Sequence, residues 1–213
     1  MLAKRVVCLL TLAKGQLVRT KNFRIDRWYS LEAYSFKGAD EIVVIDVTPD
    51  EPDRKATAAT VERLLSEAFI PITLGGRLRT PDDAKWAFDH GADKLLSSDA
   101  AFCERVAETY GDQAAVWGMT FGRNDRGPAP SRMGEMLCQD VALDGWLAGY
   151  GLHDIDTHVP VVIGSGCGNA DQMIEAFRRG ADACATSCIL HFGETTLLNF
   201  KRRIQAAGFQ VRI

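Results

Sequence analysis

Two segments of this chain, PITLGGRLRTPDDAKWAFDHGADKLLSS (Pro71–Ser98) and PVVIGSGCGNADQMIEAFRRGADACATS (Pro160–Ser187), align with each other without a gap. In each, a short apolar run ends in glycine, and a turn carrying a capping residue (Thr80 or Asn169) leads into an amphipathic stretch. Gly-Ala-Asp then opens another apolar run, so the unit reads strand, loop, helix, strand. A third Gly-Ala-Asp, Gly38–Asp40, precedes EIVVIDV. Buried strands alternating with helices require a parallel sheet covered on its outer side, and a chain of two similar halves favours closure into a (β/α)8 barrel with duplicated half-barrels. An open doubly wound sheet is the alternative, but no G-x-G-x-x-G opens the first helix.

The barrel reading places strands at Arg5–Leu10, Glu41–Asp46, Pro71–Gly75, Asp93–Ser97, Ala114–Met119, Glu135–Asp140, Val159–Gly164 and Asp182–Ser187. It places helices at Lys55–Ala68, Pro81–His90, Ala101–Tyr110, Ala170–Arg179 and Glu194–Ala206. The fifth connection, GRNDRGPAPSRMG, has prolines and glycines without apolar periodicity, which predicts that the fifth outer helix is missing. A loop, a subunit or a partner then has to cover the wall there. All 213 residues fit one domain of this fold.

A net charge of -3 argues against nucleic acid and anionic membrane surfaces as partners. No apolar run approaches the roughly 20 residues that cross a bilayer, and polar residues come too early at the N-terminus for a signal peptide, so a cytoplasmic protein is expected. The cysteines form no C-x-x-C pair and no H-E-x-x-H is present, which predicts buried thiols and no metal or other cofactor.

In barrels of this kind the reactive groups stand at the C-terminal ends of the strands. Those ends carry Thr11, Asp46, Gly76 with Arg77, Ser98 with Asp99, Thr120, Asp140 with Asp144, Gly166 with Gly168, and Ser187. Glycines that let backbone amides approach a phosphate beside a helix N-terminus make an anion cradle, and the repeat supplies this twice. Gly166, Gly168 and Ser187 form one; Gly76, Arg77 and Ser98 form the other, where Asp99 would repel a phosphate that Arg77 attracts. The competing reading is that the glycines only permit tight turns. At the opposite end Arg5, Glu41, Lys94 and Glu135 each begin a strand; turned inward they must neutralise one another, and otherwise they are solvated charges.

MLAKRVVC with Asn22-Phe23, GADEIVVIDV, GADKLLSSDAA, GADACATSCILHF and the terminal AAGFQVRI resemble HisF, the cyclase subunit of imidazole glycerol phosphate synthase, over nearly the whole chain. EMLCQDVALDGWLAGYG matches that family's sixth strand and the loop after it. The resemblance implies a HisH-like glutaminase docked at the barrel bottom, with ammonia passing through the barrel. It also places Arg5, Glu41, Lys94 and Glu135 on the family's ring of charges at the ammonia entrance, which turns the reading of those four inward. The family's acid and base are aspartates at the ends of strands one and five, and here those positions are Thr11 and Thr120. Neither hydroxyl titrates near neutrality. Arg77 replaces a family glycine, Asp99 stands where a neutral side chain is expected, Cys188 occupies a serine position, and Asp46 and Asp144 match family carboxylates.

These residues imply a divergent, HisF-like amidotransferase subunit that relays ammonia without closing the imidazole ring. Paralogues with a first strand similar to Val7–Leu10 are associated with amidation of surface sugars in lipopolysaccharide or flagellin glycosylation, performed by a third, ATP-dependent enzyme. A working cyclase that uses Asp46 or Asp144 as base is the second reading. The third is a non-enzymatic barrel that binds a phosphorylated small molecule.

Overall fold

The computed structural model describes residues 3–29, 36–122, 128–192 and 195–213. Eight parallel strands close on themselves: β1 (Arg5–Ala13), β4 (Glu41–Asp46), β5 (Ile72–Gly75), β6 (Lys94–Ser97), β7 (Ala115–Phe121), β8 (Glu135–Asp140), β9 (Val161–Ile163) and β10 (Ala183–Thr186), with β10 paired back to β1. Helices α1 (Arg54–Glu67), α2 (Pro81–Asp89), α3 (Ala100–Tyr110), α4 (Ala170–Arg178) and α5 (Leu197–Ala206) cover the outside. This is the expected (β/α)8 barrel. The expected start of the last helix, Glu194, lies outside the described residues.

The half-barrel repeat is physical. Helices α2 and α4 each open on a reciprocal capping box, Thr80 with Asp83 and Asn169 with Gln172, which satisfies amides that the first helical turn leaves without partners. The three Gly-Ala-Asp signatures also have one common role. The carboxylates of Asp40, Asp93 and Asp182 accept from the backbone amides of Val6, Ile72 and Val161 at 2.7, 2.8 and 2.9 Å, and each aspartate's own amide donates to the carbonyl of that same residue. Each signature thus fastens an incoming strand to the start of its neighbour. Asp40 additionally holds Lys201 at 2.8 Å in a buried ion pair.

Strand residues alternate between two apolar layers. Val7, Leu9, Val43, Leu96, Val116, Leu137 and Val162 fill the barrel, whereas Val6, Cys8, Leu10, Ile42, Val44 and Leu95 join the layer beneath the helices. All six cysteines are buried and none forms a disulfide.

Two features depart from the expected pattern. The chain after β1 folds back as an antiparallel hairpin, β2 (Gln16–Lys21) and β3 (Arg24–Tyr29), across the C-terminal mouth. Its turns, Lys14-Gly15 and Asn22-Phe23, have positive φ at both residues, as tight hairpin turns require. Second, the fifth connection carries no helix among its described residues, as expected, and the sixth carries none either. Tyr150, Leu152, Ile155 and Val159 from the sixth connection and Met133 from the fifth pack onto the outer core instead. A loop is therefore what covers the wall, and Trp117 and Met136 beneath it are buried.

Candidate functional site

The barrel floor is one closed circuit of ions. Inward parity puts Arg5, Glu41, Lys94 and Glu135 at the bottom of β1, β4, β6 and β8. Arg5 donates to Glu41 at 2.6 Å and to Glu135, and Lys94 donates to Glu41 at 3.1 Å and to Glu135 at 3.2 Å. Each carboxylate bridges both cations. Burial on its own would lower the Arg5 pKa, but Glu135 and Glu41 outweigh it and leave it raised. Burial likewise pushes Glu41 up, yet Arg5 and Lys94 bring it below the ordinary carboxylate range. The two cations and two carboxylates thus neutralise one another within the circuit.

At the other end a cavity of about 700 Å³ occupies the C-terminal mouth. Its wall includes Thr11, Thr120, Gln139 and Asp144, all placed by β1, β7 and β8 and the turn after β8. The Thr11 hydroxyl donates to the Val18 carbonyl of the hairpin at 2.5 Å, so its proton already has an acceptor. Asp144 is buried, accepts from the Phe23 amide at 2.9 Å, and has its pKa raised by that burial against the opposing pull of Phe23, Thr20 and Arg19. It anchors the hairpin and faces the cavity together. Asp46 points the other way: its carboxylate accepts from the Thr48 amide and hydroxyl at 2.9 and 2.5 Å and from the Thr57 hydroxyl at 3.0 Å, beneath α1. Asp140 also turns outward, to His153 at 3.0 Å, and that imidazole stacks on Phe121.

The two cradles differ in how much room they leave. In the C-terminal one, a Cβ on Gly166 would stand 2.1 Å from the Gly149 carbonyl oxygen, and one on Gly168 would stand 2.4 Å from that of Leu147. The Gln172 side chain accepts from the amides of Gly168 and Asn169 at 2.6 and 3.2 Å. Neither glycine has room for a side chain; a void of about 20 Å³ lies beside Ser165, Gly166 and Ser187, and Ser187 lines the large cavity as well. In the N-terminal one, Gly76, Arg77 and Ser98 all line the large cavity. Asp99 also lines it but caps α3 by accepting from the Phe102 amide at 3.2 Å.

Sequence reasoning gave no site role to Arg79, Gln139, Thr20 or Phe23, each of which lines the mouth. Arg79, two residues beyond Arg77 in the same loop, had a signal; Phe23 entered only through the family resemblance of Asn22-Phe23, and its place at the mouth came from the turn. Among the described residues no group of His, Cys, Asp and Glu could hold a metal ion, and no helix is long and apolar enough to cross a membrane.

These features define a (β/α)8-barrel protein with an ion-paired floor and a hydroxyl-lined site at the C-terminal mouth. Residues 4–124 match the family described as histidine biosynthesis protein. The chain is 32% identical to the imidazole glycerol phosphate synthase subunit HisF of Chlorobium limicola and 32% to that of Bacillus cereus, across the whole of both chains in each case. It is 30% identical to that of Streptomyces avermitilis over 99% of both. This chain belongs to the HisF family and is a cyclase-like subunit in its architecture. The first alignment runs over 251 residues against the 213 of this chain, so the relative carries segments that are missing here.

Proposed function

We propose that this protein is the barrel half of a two-subunit glutamine amidotransferase: a HisH-like glutaminase docks on the barrel bottom, and ammonia enters through the charged floor and travels to the mouth. The observation that carries this reading is the intact Arg5–Glu41–Lys94–Glu135 circuit in a barrel whose mouth presents Thr11 and Thr120. Four charges at the mouth of an apolar interior are a poor source of stability compared with packed hydrophobes, so their retention fits a gate. The interior above them, Val7, Leu9, Val43, Leu96 and Leu137, favours neutral ammonia over ammonium. Passage requires one ion pair of the circuit to open.

Ring closure is not part of this function. Thr11 already donates its proton to a carbonyl, and neither threonine exchanges protons near neutrality. The ammonia acceptor is then a sugar precursor of a surface glycan, amidated by a third, ATP-dependent enzyme, in line with the resemblance of the first strand to such paralogues. Glutamine hydrolysis by a HisH-like glutaminase from the same genome tests the core of this. The rate should rise on adding this protein, with no imidazole product when the bisphosphorylated cyclase substrate is supplied; an unchanged rate refutes the pairing.

Asp144 supports a second reading, a working cyclase, because its buried carboxyl faces the mouth with a raised pKa, as a proton-transferring group requires. Growth of a histidine auxotroph that lacks its own cyclase subunit would establish that reading.

A further inference from the structure

The hairpin that crosses the mouth is charged in a way its own stability does not ask for. Its residues Lys14–Tyr29 carry Lys14, Arg19, Lys21, Arg24 and Arg27 against one carboxylate, Asp26, in a chain whose net charge is -3. We propose that the free edge of β3 is a docking surface for an acidic segment of a partner protein, which adds to the sheet as a further strand at the rim of the mouth. The surface does not depend on ammonia crossing the barrel; that the docked protein consumes the ammonia rests on the amidotransferase reading.

The first ground is the register. It sets Lys21 directly opposite Arg24 and Arg19 directly opposite Arg27. Like charges facing each other across a strand pair destabilise it. Asp26, 3.4 Å from Arg19, relieves the second pair. Lys21 is held instead over the Trp146 ring, 3.5 Å from its centroid, and the Trp146 indole donates to the Asn22 side chain at 3.1 Å. Lys14, Arg24 and Arg27 are exposed, and their side chains have no ion-pair partner among the described residues. A patch built at this cost is matched by negative charge from outside the chain.

The second ground is the edge. β3 ends the sheet, paired to β2 on one side and, among the described residues, to no strand on the other. Backbone donors and acceptors left open in this way take up a further strand. Charge on an edge strand normally wards off such pairing, but charge of one sign does so selectively: a second copy of the hairpin is repelled and an acidic strand is not. Nucleic acid would answer the charge and leave the edge unpaired, and the rest of this acidic chain repels it.

The third ground is where large apolar side chains are exposed among the described residues. Phe69, Tyr110 and Ile213 stand at or beyond the C-terminal ends of α1, α3 and α5, at the barrel bottom, where the glutaminase is proposed to dock. Trp28 and Trp146, each 52% exposed, lie instead at the mouth, one on β3 and the other beside Lys21. Tryptophan and arginine are enriched where proteins meet, so the mouth rim has the makings of a second contact surface.

Fluorescence anisotropy on the full chain tests this with labelled strand-forming peptides that alternate valine with glutamate, lysine or threonine, and with oligouridylate as the nucleic-acid probe. The glutamate peptide should bind at least about tenfold tighter than every other probe. Its affinity should fall roughly tenfold as ionic strength rises from about 0.01 to 0.15 M, over which the screening length shrinks from about 30 to 8 Å. The double variant Arg24→Glu, Arg27→Glu should fold, because it turns both like-charged pairs of the register into opposite-charged ones, and it should bind the glutamate peptide at least about tenfold more weakly. Amide hydrogen exchange along Arg24–Tyr29 should slow when that peptide is bound, an effect that charge attraction without strand pairing does not produce. Equal binding of the threonine or lysine peptide, tighter binding of the RNA, unchanged affinity in the double variant, or unchanged exchange along β3 would overturn the proposal. Glutamine hydrolysis enters none of these readouts, so the surface and the amidotransferase reading fail separately.

Discussion

Replacing Glu135 by glutamine removes one corner of the charged floor while keeping its shape. In the native circuit the Glu135 side chain is 7% exposed and faces Arg5 and Lys94, which are 23% and 21% exposed. The variant leaves two cations sharing Glu41 alone. Deleting one partner of a fully buried ion pair destabilises by about 3–5 kcal/mol, and the partial exposure of both cations reduces this to roughly 2–3 kcal/mol. For a chain of this size that corresponds to a fall in Tm of roughly 4–12 °C. Thermal unfolding followed by circular dichroism at pH 7 measures it. A double-mutant cycle with Arg5→Met isolates the pair: the double variant should lose clearly less than the two single losses added together. The sign with pH follows from Glu41, whose folded pKa is depressed. Its contribution is complete above the ordinary carboxylate range and disappears as pH falls through the folded value, so a floor disrupted by Glu41→Gln should lose its disadvantage in acid. A Tm shift under about 1 °C for Glu135→Gln, or simple additivity with Arg5→Met, would mean that the four charges are independently solvated and the gate argument fails.

Thr11→Asp exchanges a donor for an acceptor against the Val18 carbonyl, and should destabilise by about 1–3 kcal/mol without creating cyclase activity, as read from thermal melts and product assays. Gly166→Ala meets both a positive φ of 87° and the Gly149 carbonyl, so roughly 2 kcal/mol or more should be lost, with faster hydrogen exchange at the Gly149 amide. Asp144 behaves oppositely to Glu41, because its folded pKa is raised: stability linked to it is present in acid and lost as pH rises through the folded value. Asp144→Asn should therefore gain in Tm relative to the native protein as pH rises above the ordinary carboxylate range, and a constant difference would contradict the burial argument.

Much of the fold was legible because the signals were local. The repeat, the capping residues Thr80 and Asn169, and the five helices sit within about three residues of where they were expected. The hairpin was not legible. Its second turn has Asn22 at a position that suits positive φ but Phe23 at the next, where the usual glycine signal is missing, and β3 is largely exposed. The sixth connection was also opaque, since Tyr150, Leu152, Ile155 and Val159 cover the wall at spacings that follow neither a helix nor a strand.

The site divides along the same line. By itself the sequence determined the eight strands, the three Gly-Ala-Asp signatures that lead into strands, and the residue types at both barrel ends, all of which depend on near neighbours or on periodicity. Only the tertiary structure decided facing and occupancy. β1 is apolar on both faces, so nothing in its pattern tells whether Arg5 and Thr11 or Lys4 and Leu10 point inward until closure defines an inside. Likewise Asp46 and Thr11, adjacent strand ends of similar promise, part company because one lies under α1 and the other beneath the hairpin. The glycines of the second cradle are pressed against Leu147 and Gly149, about twenty residues away in the chain, with no room for a side chain, a steric fact that no local pattern encodes.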